Sequence, residues 1–199
     1  MVPLIDDDDD VMMNSLVSIS LLYFNKEALA EFPSESVEII TPCGPTLGLL
    51  GTDPASICAV SIIRSGDALL EAVRDVEPAV RVGKILIQRD ESTPEKTAEL
   101  FYSKLPPAVS EMHILLCDPM LATGGSAKLA IDDLVKKNQV DPSKIVFCNL
   151  VCAPEGLAVL ADVYPQVKIV TVIVDEKLNK DKYIVPGLGD FGDRFYSTL

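Results

Sequence analysis

Apolar residues fall along this chain in two alternating rhythms. Short continuous runs, read as buried strands, cover Val37–Thr41, Ser56–Ile63, Val82–Gln88, Ile114–Cys117, Lys144–Val151 and Val167–Val174. Between them apolar positions recur at helical spacing: Ala68, Leu69, Leu70, Ala72 and Val73 up to about Val76, then Ala127, Leu129, Ala130, Ile131, Leu134 and Val135, then Pro154 to Val163 with proline in the first turn. An amphipathic helix is expected from Val11 to about Phe32, broken in polarity by Asn14, Ser15, Ser18 and Ser20. Pro42–Gly51 reads as a loop, Ser92–Lys104 as a polar segment without an apolar face, and the tail after Asp175 as irregular. Strand and helix in alternation predict an α/β fold, a mainly parallel sheet with helices on both faces. Ligands of such sheets lie beyond the carboxyl ends of the strands.

His113 to Lys128, HILLCDPMLATGGSAK, is the most informative stretch. A strand must stop at Asp118-Pro119, and Thr123-Gly124-Gly125-Ser126 leads into a helix with Ser126 at its N-cap. Adjacent glycines let backbone pass close to a ligand, and a helix start offers unpaired N–H groups, so the turn can hold a phosphate. Asp118 would face the same crevice, accepting from sugar hydroxyls or holding a metal's water. Phosphate together with a diol means a ribose phosphate. The same residues also suit an ordinary glycine-capped strand-to-helix turn. Arg64-Ser65-Gly66, after the second strand, places a guanidinium where it can grip phosphate oxygens.

At 199 residues the chain suits one domain, taken as 11–199 behind an acidic tail, 1–10, that includes the run Asp6 to Asp10. Apolar residues make up 48% and charged residues 24%, which is globular composition. The net charge of -13 is uneven: residues 1–63 carry ten acids against one base, Lys26. This opposes binding to nucleic acid or anionic membrane. An acidic flank is also the reverse of a secretory signal. Five cysteines without CxxC spacing, four of them in apolar strands, read as buried thiols in a reducing compartment, and a cytoplasmic location is expected. The only histidine, His113, starts a strand and is a poor candidate for a general base.

Asp118-Pro119-Met120-Leu121-Ala122-Thr123-Gly124-Gly125-Ser126 resembles the phosphoribosyl-pyrophosphate (PRPP) loop of uracil phosphoribosyltransferases. Tyr183-Ile184-Val185-Pro186-Gly187-Leu188-Gly189-Asp190-Phe191-Gly192-Asp193-Arg194 resembles the same family's uracil-binding segment. The similarity runs from about Cys58 to Thr198. It implies a type I phosphoribosyltransferase fold and the reaction of PRPP with uracil to give UMP and pyrophosphate. By resemblance, PRPP would meet Arg64, Arg89, Asp190 and every residue from Asp118 to Ser126. Uracil would meet Tyr183, Ile184, Gly189, Asp190 and Phe191, mainly through backbone. Asp118, Arg64 and Asp190 would surround the chemistry, and Mg²⁺ would arrive mainly through PRPP, with no protein ligand assigned.

Resemblance further implies that the segment after Arg89 covers bound substrate, that the chain forms a homodimer or homotetramer, and it raises GTP as a ligand. The family usually carries a basic, arginine-containing segment before the first helix, whereas the first basic residue here is Lys26. A rival reading is a catalytically silent module, such as the uracil phosphoribosyltransferase-like domains appended to uridine kinases. No kinase P-loop is present in these 199 residues.

Overall fold

A computed structural model describes residues 21–89 and 98–198, the side chain of Arg89 excepted. The acidic tail, the first half of the expected first helix and the start of the expected cover segment lie outside the described residues. Helix α1 occupies residues 21–30. Then come β1 (Ser34–Thr41), β2 (Gly44–Gly51), β3 (Ile57–Ile63), α2 (Gly66–Val76), β4 (Arg81–Arg89), β5 (Ala98–Lys104), β6 (His113–Cys117) and β7 (Met120–Leu121). The rest is α3 (Gly125–Asp132), β8 (Ile145–Cys152), α4 (Pro154–Val163), β9 (Lys168–Val174), β10 (Lys177–Leu178), β11 (Ile184–Val185) and α5 (Phe191–Phe195).

The central sheet has seven strands in the order β5-β4-β3-β6-β8-β7, with β9 on the other side of β8. Every pairing is parallel except β4 with β5. Alternation along the strands divides the core into two layers. Cys58, Val60, Ile62, Ile114, Leu116, Ile145 and Phe147 pack with Ala127, Ala130 and Ile131 of α3 and Leu160 of α4. Ile57, Ala59, Leu115, Cys117, Val146 and Cys148 face α1 and α2, through Leu21, Ala28, Leu69 and Val73. Each large aliphatic side chain buried this completely contributes about 1.5–3 kcal/mol relative to leaving it in water. This two-sided burial is why the strands read as continuous apolar runs.

Three expectations change. Pro42–Gly51 is not a loop: Gly44–Gly51 forms β2, paired antiparallel with β1 from Ser34↔Gly51 to Thr41↔Gly44. Its three glycines and one proline concealed the strand, since ladder bonds supply what side-chain pattern does not announce. Ser92–Lys104 is not polar coil throughout, because Ala98–Lys104 pairs with β4 as an edge strand. The C-terminal tail contains a two-residue ladder, β10 with β11, and the single turn α5.

Close packing sets the site's geometry. A Cβ on Gly66 would lie 2.2 Å from the Cys117 carbonyl oxygen, so only glycine lets α2 start against the end of β6. Asp67, in the first turn of α2, accepts from Ser61 Oγ at 2.5 Å and from Lys84 Nζ at 2.6 Å. These contacts pin the Arg64–Ser65 turn above the ends of β3 and β4.

Candidate active site

The PRPP-like loop is stitched to β8 rather than hanging free. The backbone N–H of Asp118 donates to the Cys148 carbonyl at 3.2 Å, and the Pro119 carbonyl accepts from both Leu150 and Val151 at 3.0 Å. Met120 and Leu121 then pair with Val151 and Cys152. Gly124 has φ of 81° and is the N-cap of α3, which begins at Gly125. The expected cap, Ser126, therefore sits inside the helix. A left-handed glycine turns the chain one residue pair sooner than a serine cap would, and Thr123 Oγ1 accepts weakly from the Gly125 N–H at 3.5 Å. Helix α4 approaches the loop so closely that a Cβ on Gly156 would stand 2.5 Å from the Ala122 carbonyl oxygen.

Opposite this loop the C-terminal segment forms a second wall. The Asn179 carboxamide oxygen accepts from the N–H groups of Asp181 and Tyr183, both at 2.9 Å, closing the turn between β10 and β11. The Val185–Pro186 peptide is cis, and Gly187 and Gly189 have φ of 55° and 81°. A Cβ on Gly187 would lie 2.2 Å from the Ile184 carbonyl oxygen, whereas one on Gly189 would meet nothing within 4 Å. Gly189 thus leaves open space beside its backbone. Asp190 caps α5, accepting from the Asp193 N–H at 2.9 Å.

Between the walls lies a cavity of about 560 Å³. It brings together Arg64, Asp118, Met120, Ala122, Ser126, Tyr183, Ile184, Gly189, Asp190 and Phe191 from the sequence-derived set. Pro119, Leu121, Thr123, Gly124 and Gly125 do not line it. Leu121 is 1% exposed and belongs to the core, and Pro119 serves β8. Arg89 ends β4, and its side chain lies outside the description. Leu86, Ile87, Gln88, Asp181 and Lys182 line the cavity and were missed. The first three could have been found from the rule that ligands collect at strand carboxyl ends; the last two depend on a turn with no pattern signature.

The electrostatics are mixed. Asp118, Asp181 and Asp190 share the wall with Arg64 and Lys182. Among the described residues no group of three or more His, Cys, Asp or Glu could hold a metal ion. Arg64 donates to Asp193 at 2.5 Å and to Thr198 Oγ1 at 2.9 Å. The hydrogen bond to Asp193 raises the guanidinium's pKa and holds the carboxyl below its usual range. His113 lies at the opposite end of β6 from Asp118, its ring 5.4 Å from that of Phe32. Burial, with Lys144 nearby, lowers its pKa, and it does not line the cavity.

The thiols of Cys58, Cys117, Cys148 and Cys152 are buried and unpaired with one another, while Cys43 is exposed. Burial pushes Cys58 up to about 12 and raises Cys117 and Cys148 strongly, so these thiols stay protonated. Among the described residues no helix is long and apolar enough to cross a membrane.

A mainly parallel sheet with a strand-end carboxylate, a glycine turn into a helix and a facing C-terminal wall is the type I phosphoribosyltransferase fold. A hypoxanthine-guanine phosphoribosyltransferase from Bacillus anthracis shares that fold, with a TM-score of 0.51 at 10% identity over 83% of this chain and 82% of its own. A protein of Aquifex aeolicus superposes more closely, with a TM-score of 0.79 at 31% identity, covering 94% of this chain and 87% of that one.

The model of the family "Uracil phosphoribosyltransferase" matches residues 10–198, and the chain belongs to that family. The uracil phosphoribosyltransferase of Saccharomyces cerevisiae is 51% identical over 140 residues, 70% of this chain and 63% of the yeast protein. That of Dictyostelium discoideum is 44% identical over 173 residues, 87% of this chain and 78% of its own length. A chloroplastic uridine/cytidine kinase of Arabidopsis thaliana is 41% identical over 174 residues, and the match spans 35% of that protein.

Proposed function

We propose that this protein is an enzyme that transfers the phosphoribosyl group of PRPP to N1 of uracil, giving UMP and pyrophosphate in pyrimidine salvage. The observation that carries this reading is one cavity with Asp118, Met120, Ala122 and Ser126 of the PRPP-like loop on one wall and Ile184, Gly189, Asp190 and Phe191 on the other. In the reaction the bond from ribose C1 to the diphosphate oxygen breaks, the bond from C1 to uracil N1 forms, and the N1 proton is released. Positive charge builds on the sugar and negative charge on the leaving group, so positioning and electrostatic stabilisation dominate.

The first turn of α3, entered through Thr123 to Ser126, would take the 5′-phosphate at N–H groups that lack helical partners. Asp118 would accept from the ribose hydroxyls. Arg64, and Arg89 at the end of β4, would meet the diphosphate. Uracil would lie against Tyr183, Ile184 and Phe191, with backbone groups near Ile184, Gly189 and Phe191 matching its two carbonyls and N–H. Cytosine would present a donor where uracil presents an acceptor, and one mispaired buried polar group is worth about 1–3 kcal/mol.

Mg²⁺ fits this site as a companion of PRPP. The carboxylates of Asp118 and Asp190 are oxygen donors on the wall that could hold its waters, and it would supply charge neutralisation to the diphosphate.

The exposed apolar hairpin supports self-association into a homodimer or homotetramer: Ile40 is 89%, Leu47 76% and Leu49 77% exposed on β1 and β2. The four buried thiols favour a reducing compartment such as the cytoplasm. The test is UMP formation from radiolabelled uracil with Mg²⁺ and PRPP, with cytosine and uridine in parallel. Uracil-specific UMP is expected; PRPP binding by calorimetry without turnover would instead identify a silent module.

A further inference from the structure

The C-terminal segment holds the end edge of the Arg64 guanidinium. Along its end edge, Nη2 donates to Asp193 Oδ1 at 2.5 Å and Nη1 to Thr198 Oγ1 at 2.9 Å. The Thr198 hydroxyl in turn donates to Asp193 Oδ1 at 2.8 Å, so the two acceptors form one bridged cap. Along its side edge stands Gly192, where a Cβ would lie 3.0 Å from Nη2 and 3.2 Å from Nε, so a side chain at that position would crowd the guanidinium and glycine does not. The Tyr196 ring centre is 5.7 Å from the guanidinium carbon, and the Tyr196 hydroxyl donates to the Arg64 carbonyl at 3.4 Å. A two-pronged grip on phosphate oxygens needs one of the guanidinium's two edges, and the end edge is the one these contacts occupy.

We propose that Asp193 is a positioning residue that competes with the diphosphate of PRPP for the Arg64 guanidinium, and so sets the affinity for PRPP from the side of the uracil-binding segment. This rests on the proposed PRPP reaction. To meet a diphosphate with its end edge, Arg64 must part from Asp193 and Thr198. Removing the Asp193 charge weakens the hold on Arg64 and leaves the guanidinium itself intact. Side-chain exposures of 47% for Arg64 and 36% for Asp193 place the pair among solvent-accessible ion pairs, for which an effect of roughly two- to fivefold is the right scale.

Two measurements on the full chain test this. By calorimetry with Mg²⁺ and PRPP, Asp193→Asn should bind PRPP roughly two- to fivefold more tightly than the unaltered chain. By hydrogen exchange, PRPP should speed exchange in residues 191–198 of the unaltered chain, because Arg64 leaves the segment. A residue that only held Arg64 in its working pose would give the opposite signs, weaker binding in the variant and slower exchange on ligation. Either of those results, or no change, overturns the inference. If Asp193→Asn does not fold, Thr198→Val removes the Nη1 partner and should shift PRPP affinity in the same direction by less. Failure of the unaltered chain to bind PRPP would overturn the proposed reaction along with the inference. UMP formation with no tightening in the variant would overturn the inference alone.

Discussion

The Asp175 carboxylate accepts a hydrogen bond from the Gly187 backbone N–H at 2.9 Å, tying the carboxyl end of β9 to the turn that carries the uracil-binding segment. Glu176 N–H donates to the Val185 carbonyl beside it. Asp175 does not line the cavity, so it can act only through the backbone it holds. Asp175→Ala should raise KM for uracil about three- to tenfold, the scale of one lost hydrogen bond, with KM for PRPP little changed. Asp175→Asn keeps an acceptor and should restore most of the loss. Equal changes in both KM values would mean general loosening.

Asp118 stands on the other wall, fixed by its own N–H to β8. Asp118→Asn should lower kcat by roughly 10- to 100-fold, the scale of hydrogen bonds to a charged group, and leave KM for uracil nearly steady. Steady-state kinetics with both substrates varied decides this, and unchanged turnover would remove Asp118 from the chemistry.

At Gly66 a methyl group would be driven into the Cys117 carbonyl, whose backbone cannot give way without moving β6. Gly66→Ala should destabilise the fold by about 1–3 kcal/mol despite the better helix propensity of alanine. Thermal unfolding reads this as a lowered Tm. An unchanged Tm would show that α2 can shift off the sheet.

Asp132 and Tyr164 give stability that falls at both ends of the pH scale. Burial pushes Asp132 up, but hydrogen bonds from Lys136, Tyr164 and Lys128 outweigh it and bring the carboxyl down to about 2. Its folded pKa is depressed, so its contribution is present above the unfolded value and is lost as pH falls toward 2; the scale is about 2 kcal/mol. Burial and then the Asp132 hydrogen bond raise the Tyr164 phenol to about 12, so its contribution is present below the ordinary phenol pKa and is lost as pH rises toward 12. Tyr164→Phe should flatten both limbs of the stability profile in urea melts. An unaltered acid limb would dismiss the coupling.

Thiol chemistry should single out Cys43. It is exposed in the turn after β1, whereas the other four thiols are buried and protonated. Alkylation of the folded chain at neutral pH should modify Cys43 alone, and all five thiols should react in denaturant, as read by peptide mass analysis. Labelling of Cys58 or Cys148 under native conditions would mean that the sheet opens.

The chain's local pattern determined its class. Continuous apolar strands from Ile57 to Val174 and amphipathic helices between them leave few ways to bury both faces, and a parallel sheet follows. Asp118, Arg64 and the glycine turn were legible because strand ends, glycine pairs and helix starts are set by neighbours in sequence. The strand at Gly44–Gly51 was not legible, since its pairing with β1 is a matter of backbone bonds that glycine-rich composition does not advertise. Nor was the cap at Gly124, which depends on a left-handed turn fitted against Gly156 and Val159 of α4.

Tertiary structure alone decided which side chains share the cavity. It put Leu86, Gln88 and Lys182 on the wall, sent Leu121 into the core, and made Asp190 a helix cap as well as a wall residue. Above all it closed the Asp193–Thr198 cap over Arg64, a contact spanning 129 residues for Asp193 and 134 for Thr198. Sequence spacing carries no information about such a contact. It exists because α5 packs back over the carboxyl end of β3, and that is decided by how the whole chain folds.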